Sequence, residues 1–275
     1  MTAVEAPSTT PVSLPARRGG PNVMTLREDG WWVQPLVTFG ILFAFVVYVT
    51  WAAFQNKNYY VGALQHRDLL SPLYSPCIAA SCSQYPGASH GVQLSWWNFS
   101  PALLILIIPA GFRLTCYYYR RSYYRAFWWS PPSCAVQDHH GKYSGETRFP
   151  LILQNSHRYF FYVAFLFNLI LTYDAIMAFN LPGLGIGVTV GTVVLVVNAL
   201  LLWLYSLSCH ACRHLCGGSV RTFSKHPVRQ RLWKLVTPLN ARHMQIAWAS
   251  LVVVALADVY VRLVASGAIT DYRLL

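Results

Sequence analysis

Five apolar stretches of about twenty residues each punctuate the sequence, the length a helix needs to cross a hydrocarbon core about 30 Å thick. They run over 35–54, 99–119, 157–179, 187–208 and 244–265. The first carries no charge. The second contains Pro109 and, near its end, Arg113; the third contains Asp174; the fifth contains Asp258 and Arg262. Only 11% of the 275 residues are charged and 55% are hydrophobic, whereas a soluble domain has about 25% charged residues. This balance excludes a soluble globular domain, a disordered chain and a nucleic-acid-binding domain. The expected fold is all-α, an integral membrane bundle of five transmembrane helices.

The cations orient the bundle. Arg120, Arg121, Arg125, Lys142, Arg148 and Arg158 follow the second stretch; Arg213, Arg221, Lys225, Arg229, Arg231, Lys234 and Arg242 follow the fourth; Arg17, Arg18 and Arg27 precede the first. The alternate connections hold only Lys57, Arg67 and Arg273, a split of 16 to 3. Cationic loops stay in the cytoplasm, so the N-terminus is expected inside and the C-terminus outside, in a multi-pass protein of the cell inner (plasma) membrane. The net charge of +12 then reports membrane topology rather than a nucleic-acid partner. Residues 1–34 read as a disordered or interfacial cytoplasmic tail, rich in Pro, Ser, Thr and Ala at its start and without the apolar core of a signal peptide. Residues 35–265 form the membrane domain, with an outer loop over 55–97 that folds over the outer face, and 266–275 form an outer tail.

This orientation sorts the seven cysteines. Cys77 and Cys82 lie in the outer loop, where an oxidising environment favours a short disulfide. The others lie on the reducing side, where cysteine is metal-bound or inert. The dense run is Cys209-His210-Ala211-Cys212-Arg213-His214-Leu215-Cys216, five thiol or imidazole ligands in eight residues. At about 100° per residue, Gly191, Asn198, Tyr205, Cys209, Cys212 and Cys216 share one face of the fourth helix, opposite Leu200, Leu204 and Leu207. Polar residues of a membrane helix face the bundle, so the cysteine face is the interior one. His210 and His214 sit about 100–140° from Cys209 on a regular helix, and join it only if the last turn unwinds. His157 heads an interior stripe with Ala164, Asn168 and Ala175; His243 heads one with Ala247, Ser250, Ala257 and Val261. Cys116 ends the second helix. These groups can meet at one membrane depth; the plainer reading of each lone histidine is a hydrogen-bonded or headgroup-facing imidazole.

Three cofactors suit such ligands. A structural zinc ion would staple a bundle that needs no staple. A haem b between His157 and His243 leaves the cysteines unexplained. A Rieske-type 2Fe–2S centre uses two Cys and two His, here assembled from separate helices, with Cys209 and Cys212 on one iron and His157 and His243 on the other. His210, His214, Cys116 and Cys216 are reserves. No glycine fingerprint for a dinucleotide and no ferredoxin-like cysteine run is present, so no residue is assigned to substrate oxidation.

The stretches Gln154-Asn155-Ser156-His157-Arg158 and Ser208-Cys209-His210-Ala211-Cys212-Arg213-His214, set in a five-helix chain, resemble the membrane anchor (cytochrome b-like) subunit of actinobacterial succinate dehydrogenase, complex II, in particular its mycobacterial form. The resemblance covers most of the chain from about residue 30. It implies a flavoprotein subunit and an iron–sulfur subunit on the cytoplasmic face, and reduction of menaquinone. Dihaem anchors of the wider group carry His toward both membrane faces. Here no His lies in the outer half of a helix, which turns the expectation from haem b toward an iron–sulfur centre. Arg113, Tyr117, Ser156, Arg158 and Trp248 are candidate quinone-binding groups, although each also fits an interfacial belt. Asp174 and Asp258 are intramembrane carboxylates of a kind that relays protons; Asp258 stands four residues from Arg262, which fits an ion pair. A membrane thiol:quinone oxidoreductase, a transporter and a structural anchor are the rival readings.

Overall fold

The computed structural model describes residues 17–18, 24–25, 27–62, 65–84, 88, 93–137 and 147–275. Most of the N-terminal tail, together with Tyr85, His139, His140 and Lys142, lies outside the described residues. The chain divides into two compact units. The smaller combines Met1–Ile41 with Arg121–Tyr143. In it β1 (Arg17–Arg18) pairs antiparallel with β2 (Met24–Thr25). Trp31 meets the Trp129 ring edge-on, and Phe39 meets Phe127.

The larger unit comprises Leu42–Arg120 and Ser144–Leu275. Its frame is α5 (His157–Met177), α6 (Val190–Ser208) and α9 (His243–Ala265), with α6 packed against both of the others. The stripes selected by helical periodicity are buried: Ala164, Asn168 and Ala175 on α5; Gly191, Asn198 and Tyr205 on α6; Ala247, Ser250, Ala257 and Val261 on α9. Leu200 and Leu204 face outward. Small residues let these helices approach closely, as they must where lipid gives no hydrophobic force between them. The helix α1 (Val33–Gln55) carries apolar side chains on its exposed face, among them Val46, Val47 and Trp51, which suits lipid as its solvent.

The second apolar stretch departs from the single helix expected over 99–119. It forms α2 (Pro101–Ile105) and α3 (Ile107–Thr115), and α4 (Tyr117–Trp128) follows at a bend of 80°. Pro109 has no N–H for the carbonyl of Ile105, which separates α2 from α3. Cys116 is extended, with φ −63° and ψ 127°. Beyond it the sequence turns to Tyr and Arg, which cannot continue into hydrocarbon. Where α3 meets α5, a methyl group on Gly111 would overlap the Phe160 ring. Among the described residues, four helices are long and apolar enough to cross a membrane, or five if the bent pair counts as one span.

The connection after α1 is folded onto one end of this unit. β3 (Tyr60–Val61) pairs with β4 (Leu69–Leu70). Tyr59 stacks on Tyr74 at 4.3 Å, and both pack with Leu70, Leu73 and Ala102 in one apolar cluster. Cys77 and Cys82, in the same cluster, form a disulfide. At this end β5 (Asn180–Leu181) and β6 (Gly185–Ile186) form the turn between α5 and α6. The C-terminal segment is tied in by Thr189 pairing with Arg273 and by the Arg67–Asp271 ion pair at 2.6 Å.

Candidate functional site

At the opposite end of the larger unit, α6 does not run on through the cysteines. It stops at Ser208, and Cys209 is extended, with φ −64° and ψ 145°. A separate turn, α7 (His210–Arg213), and a wider turn over His214–Gly218 follow. The common face expected for Cys209, Cys212 and Cys216 is therefore broken. Asn240, on α8 (Pro227–Ala241), donates to the carbonyl of Ser208 at 2.8 Å, the group that a continuing helix would offer to the N–H of Cys212. Cys212 lies instead beside Cys216, and burial together with that neighbour pushes its thiol up to about 12.

Two cysteine–histidine pairs form at this end. His157 Nε2 lies 3.0 Å from Cys209 Sγ, and His243 Nε2 lies 3.4 Å from Cys116 Sγ. Each imidazole is held from behind by a hydroxyl. His157 Nδ1 is 2.9 Å from Thr115 Oγ1, and His243 Nδ1 is 2.7 Å from Ser208 Oγ. Each hydroxyl donates its own proton to a carbonyl, Thr115 to Gly111 and Ser208 to Tyr205. The hydroxyl oxygens can therefore only accept from the rings. That assigns the proton to Nδ1 in both histidines and leaves both Nε2 lone pairs facing sulfur, the tautomer a metal-binding imidazole needs.

The local design repeats. Cys116 and Cys209 each cap a helix in extended conformation, and each follows the hydroxyl residue that orients the other pair's histidine. Aromatic rings close the site. Phe112 stacks on His157 and Tyr205 on His243. Cys116 and Cys209 are at most 3% exposed. Among the described residues no three His, Cys, Asp or Glu side chains meet at one ion-sized point; the donors come as two pairs.

No side-chain hydrogen bond ties the remaining ligand candidates to these pairs, although His210 lies close enough to act electrostatically on both His157 and His243. His210 is exposed, and His214 Nδ1 accepts from Arg158 at 3.0 Å. Of the quinone candidates, Arg113 alone lines the adjoining cavity, a space of about 110 Å³ among α1, α3, α5, α6 and α9. Its guanidinium donates to Tyr119 Oη at 2.6 Å and Ser250 Oγ at 3.2 Å, and lies 4.7 Å from the centre of the Tyr205 ring. Tyr117 is exposed, Ser156 donates to the carbonyl of Leu153, and Trp248 donates to Tyr118 Oη. Phe112, Tyr205, Asn168, Ser206 and Ser75 also line the cavity and were not singled out by the sequence as quinone contacts. Tyr205 links the two features, since one side chain both stacks on His243 and lines the cavity.

A helical membrane subunit with a buried Cys/His cluster beside an apolar cavity is the class these features define. The family model of the actinobacterial succinate dehydrogenase subunit SdhC matches residues 33–267, and the chain belongs to that family. It is thus a membrane-embedded subunit of an enzyme complex, succinate dehydrogenase. Its fold is similar to a chain of the Mycobacterium smegmatis Sdh1 complex in the apo form, with a TM-score of 0.83 and 51% identity over 91% of this chain and 94% of that one. No curated protein matches the sequence.

Proposed function

We propose that the chain is the quinone-reducing membrane anchor of its complex, with five spans, N-terminus inside and C-terminus outside in the cell inner membrane. A flavoprotein subunit and an iron–sulfur subunit dock on its cytoplasmic loops and supply electrons from succinate. His157, His243, Cys209 and Cys116 would hold a Rieske-type 2Fe–2S centre, with Cys116 taking the place first expected of Cys212. Such a centre, when bound, supplies one-electron redox chemistry at a potential raised by its imidazole ligands. The observation that carries this reading is the pair of bare Nε2 atoms, each aimed at a buried thiol and each fixed by a hydroxyl. Two pairs suit a two-metal group better than a single ion, which would draw its ligands to one point.

The chain's own groups have distinct roles. Thr115 and Ser208 hold the imidazoles. Phe112 and Tyr205 exclude water from them. Arg113 presents a cation to the cavity, where it favours the negative charge that a menaquinone carbonyl develops on reduction.

Electron paramagnetic resonance of the purified complex is expected to show a mixed-ligand 2Fe–2S signal in addition to those of the iron–sulfur subunit. Changing His157 and His243 together to Ala removes that signal and quinone reduction, while succinate oxidation by an artificial dye continues. Parental quinone reduction in the double variant, or a haem Soret band lost with those two histidines, overturns the reading.

A further inference from the structure

We propose that α8 is an interfacial helix that binds the phosphate headgroups of acidic phospholipids, with Val228, Leu232 and Leu235 in the acyl boundary and Arg231 and Lys234 among the headgroups. The inference concerns a surface outside the redox site and stands whether or not a cluster or a quinone binds there.

The order of the chain fixes the depth of α8. α6 ends at Ser208 and α9 begins at His243, so the connection 209–242 leaves and rejoins the membrane domain on one side. Asn240, near the end of α8, donates to the carbonyl of Ser208 at 2.8 Å, and α8 packs on both α6 and α9. The helix is held at the level where those two helices end and does not stand off in water.

One face of α8 is committed to the protein. Arg229 donates to the carbonyls of Leu215 and Cys216 at 2.9 and 3.1 Å. The Trp233 ring lies 3.8 Å from the Arg213 guanidinium, and Val236 is buried. At about 100° per residue, Val228, Leu232 and Leu235 share a different face. They are 67%, 45% and 68% exposed, at the i, i+4 and i+7 spacing of an apolar stripe. Arg231 and Lys234 lie on the far flank of that stripe and are exposed. Neither side chain has a hydrogen bond or ion pair among the described residues.

Charge selects the occupant. The connection 209–242 holds seven Lys and Arg residues and no Asp or Glu. An apolar stripe edged by cations is the pattern of a helix lying in the plane of a membrane interface, its apolar face in the acyl boundary and its cations among acidic headgroups. Arg presents paired donors to a phosphate, and Lys a point charge. A water-soluble subunit would have to reach down to the level of the acyl chains to cover the same stripe, whereas lipid is already there.

The test uses the intact complex with Leu235→benzoylphenylalanine, a photoreactive side chain, in vesicles of phosphatidylcholine and phosphatidylglycerol in equal parts. After illumination, mass spectrometry of this chain identifies what it has bonded to. Phosphatidylglycerol adducts are expected to outnumber phosphatidylcholine adducts roughly fivefold, and the ratio to fall to about one when Arg231→Gln and Lys234→Gln are added. Succinate oxidation by dye, the check of assembly, stays at the parental rate. If the bulky side chain prevents assembly, the same measurement with Val228→benzoylphenylalanine takes its place. An adduct to another subunit of the complex overturns the proposal in favour of a protein interface on α8. Equal capture of the two lipids without the glutamine changes, an unchanged ratio with them, or no lipid adduct at either position overturns it as well.

Discussion

The two ends of the larger unit both bury polar groups, and they satisfy them by opposite means. At the disulfide end, Asp258 accepts from Arg262 at 2.7 Å and from Tyr48 and Ser71, and Arg262 donates further to the carbonyls of Ala52 and Lys57. Asp271 takes Arg67, Tyr260 and the backbone N–H of Gly191. Opposite charges are matched there with additional hydrogen bonds, the condition for a buried ion pair to be tolerated. At the imidazole end, a cation is held by hydroxyls and rings, and two bare nitrogens face two thiols. Saturated charge makes a clamp, and soft donors held ready make a site. The two sulfurs also face backbone N–H groups, of Tyr118 and Tyr119 at Cys116 and of Ala211 and Cys212 at Cys209, an environment that suits a thiolate ligand.

The sharpest way to break this comparison lies within one short run of sequence. Cys209→Ala is expected to lower quinone reduction by a hundredfold or more, on the order of what loss of a metal ligand costs. Cys212→Ala is expected to stay within about twofold, because the Cys212 thiol meets Cys216 and what it offers Cys209 is its backbone N–H, which alanine keeps. Assays of the purified complex with a menaquinone analogue and with dye separate the outcomes. Equal loss in both variants would restore a shared cysteine face and remove Cys116 from the site.

That contrast also marks what a sequence can and cannot convey here. The apolar stretches and the small or polar stripes were legible because membrane helices leave long, regular patterns. Asp258 and Arg262 stand one helical turn apart, and their pairing is equally local. The break at Cys209 was hidden, because it depends on Asn240 reaching the Ser208 carbonyl from 32 residues away. Ser206 and Ser208 were the available hint, since serine competes with the helix for backbone groups. The end of α3 had a plainer signal in the change from Ile and Leu to Tyr and Arg after Cys116. Thr115 and Ser208 went unnoticed as orienting groups. Each immediately precedes a site cysteine, but Ser81-Cys82 and Ser133-Cys134 share that arrangement, so the dipeptide alone does not discriminate.

At the disulfide end the expected effects fall on stability and leave redox chemistry untouched. Asp258→Ala leaves Arg262 buried without its carboxylate and is expected to cost about 3–5 kcal/mol, read as a lower unfolding midpoint of the complex in mild detergent. The double change Asp258→Leu with Arg262→Met removes both charges and is expected to recover most of that loss. If the single variant unfolds like the parent, the ion pair is not a clamp. Replacing both Cys77 and Cys82 with Ala is expected to cost about 2 kcal/mol, the chain-entropy value for so short a loop. Quinone and dye assays should be unchanged below the new midpoint, and a selective loss of quinone reduction would tie the disulfide to the site.

The smallest effect asks whether a guanidinium differs in kind at the two ends. Arg113→Lys keeps the charge beside the cavity but gives up the planar contact with the Tyr205 ring and one of the hydrogen bonds to Tyr119 and Ser250. The ammonium also sits out of line with a quinone carbonyl that the guanidinium would face, and a hydrogen bond to a charged donor is worth about 1.5 kcal/mol, so the Michaelis constant for quinone should rise roughly tenfold. The midpoint of unfolding should move little, because Lys still reaches one hydroxyl. Arg67→Lys is the matched control. It loses the donor to the backbone carbonyl of Asp271 and keeps the ion pair, so it should shift the midpoint slightly and the Michaelis constant not at all. If Arg113→Lys instead lowers the midpoint and leaves the Michaelis constant at its parental value, Arg113 is a clamp like Arg262, and the cavity beside it is not where quinone binds.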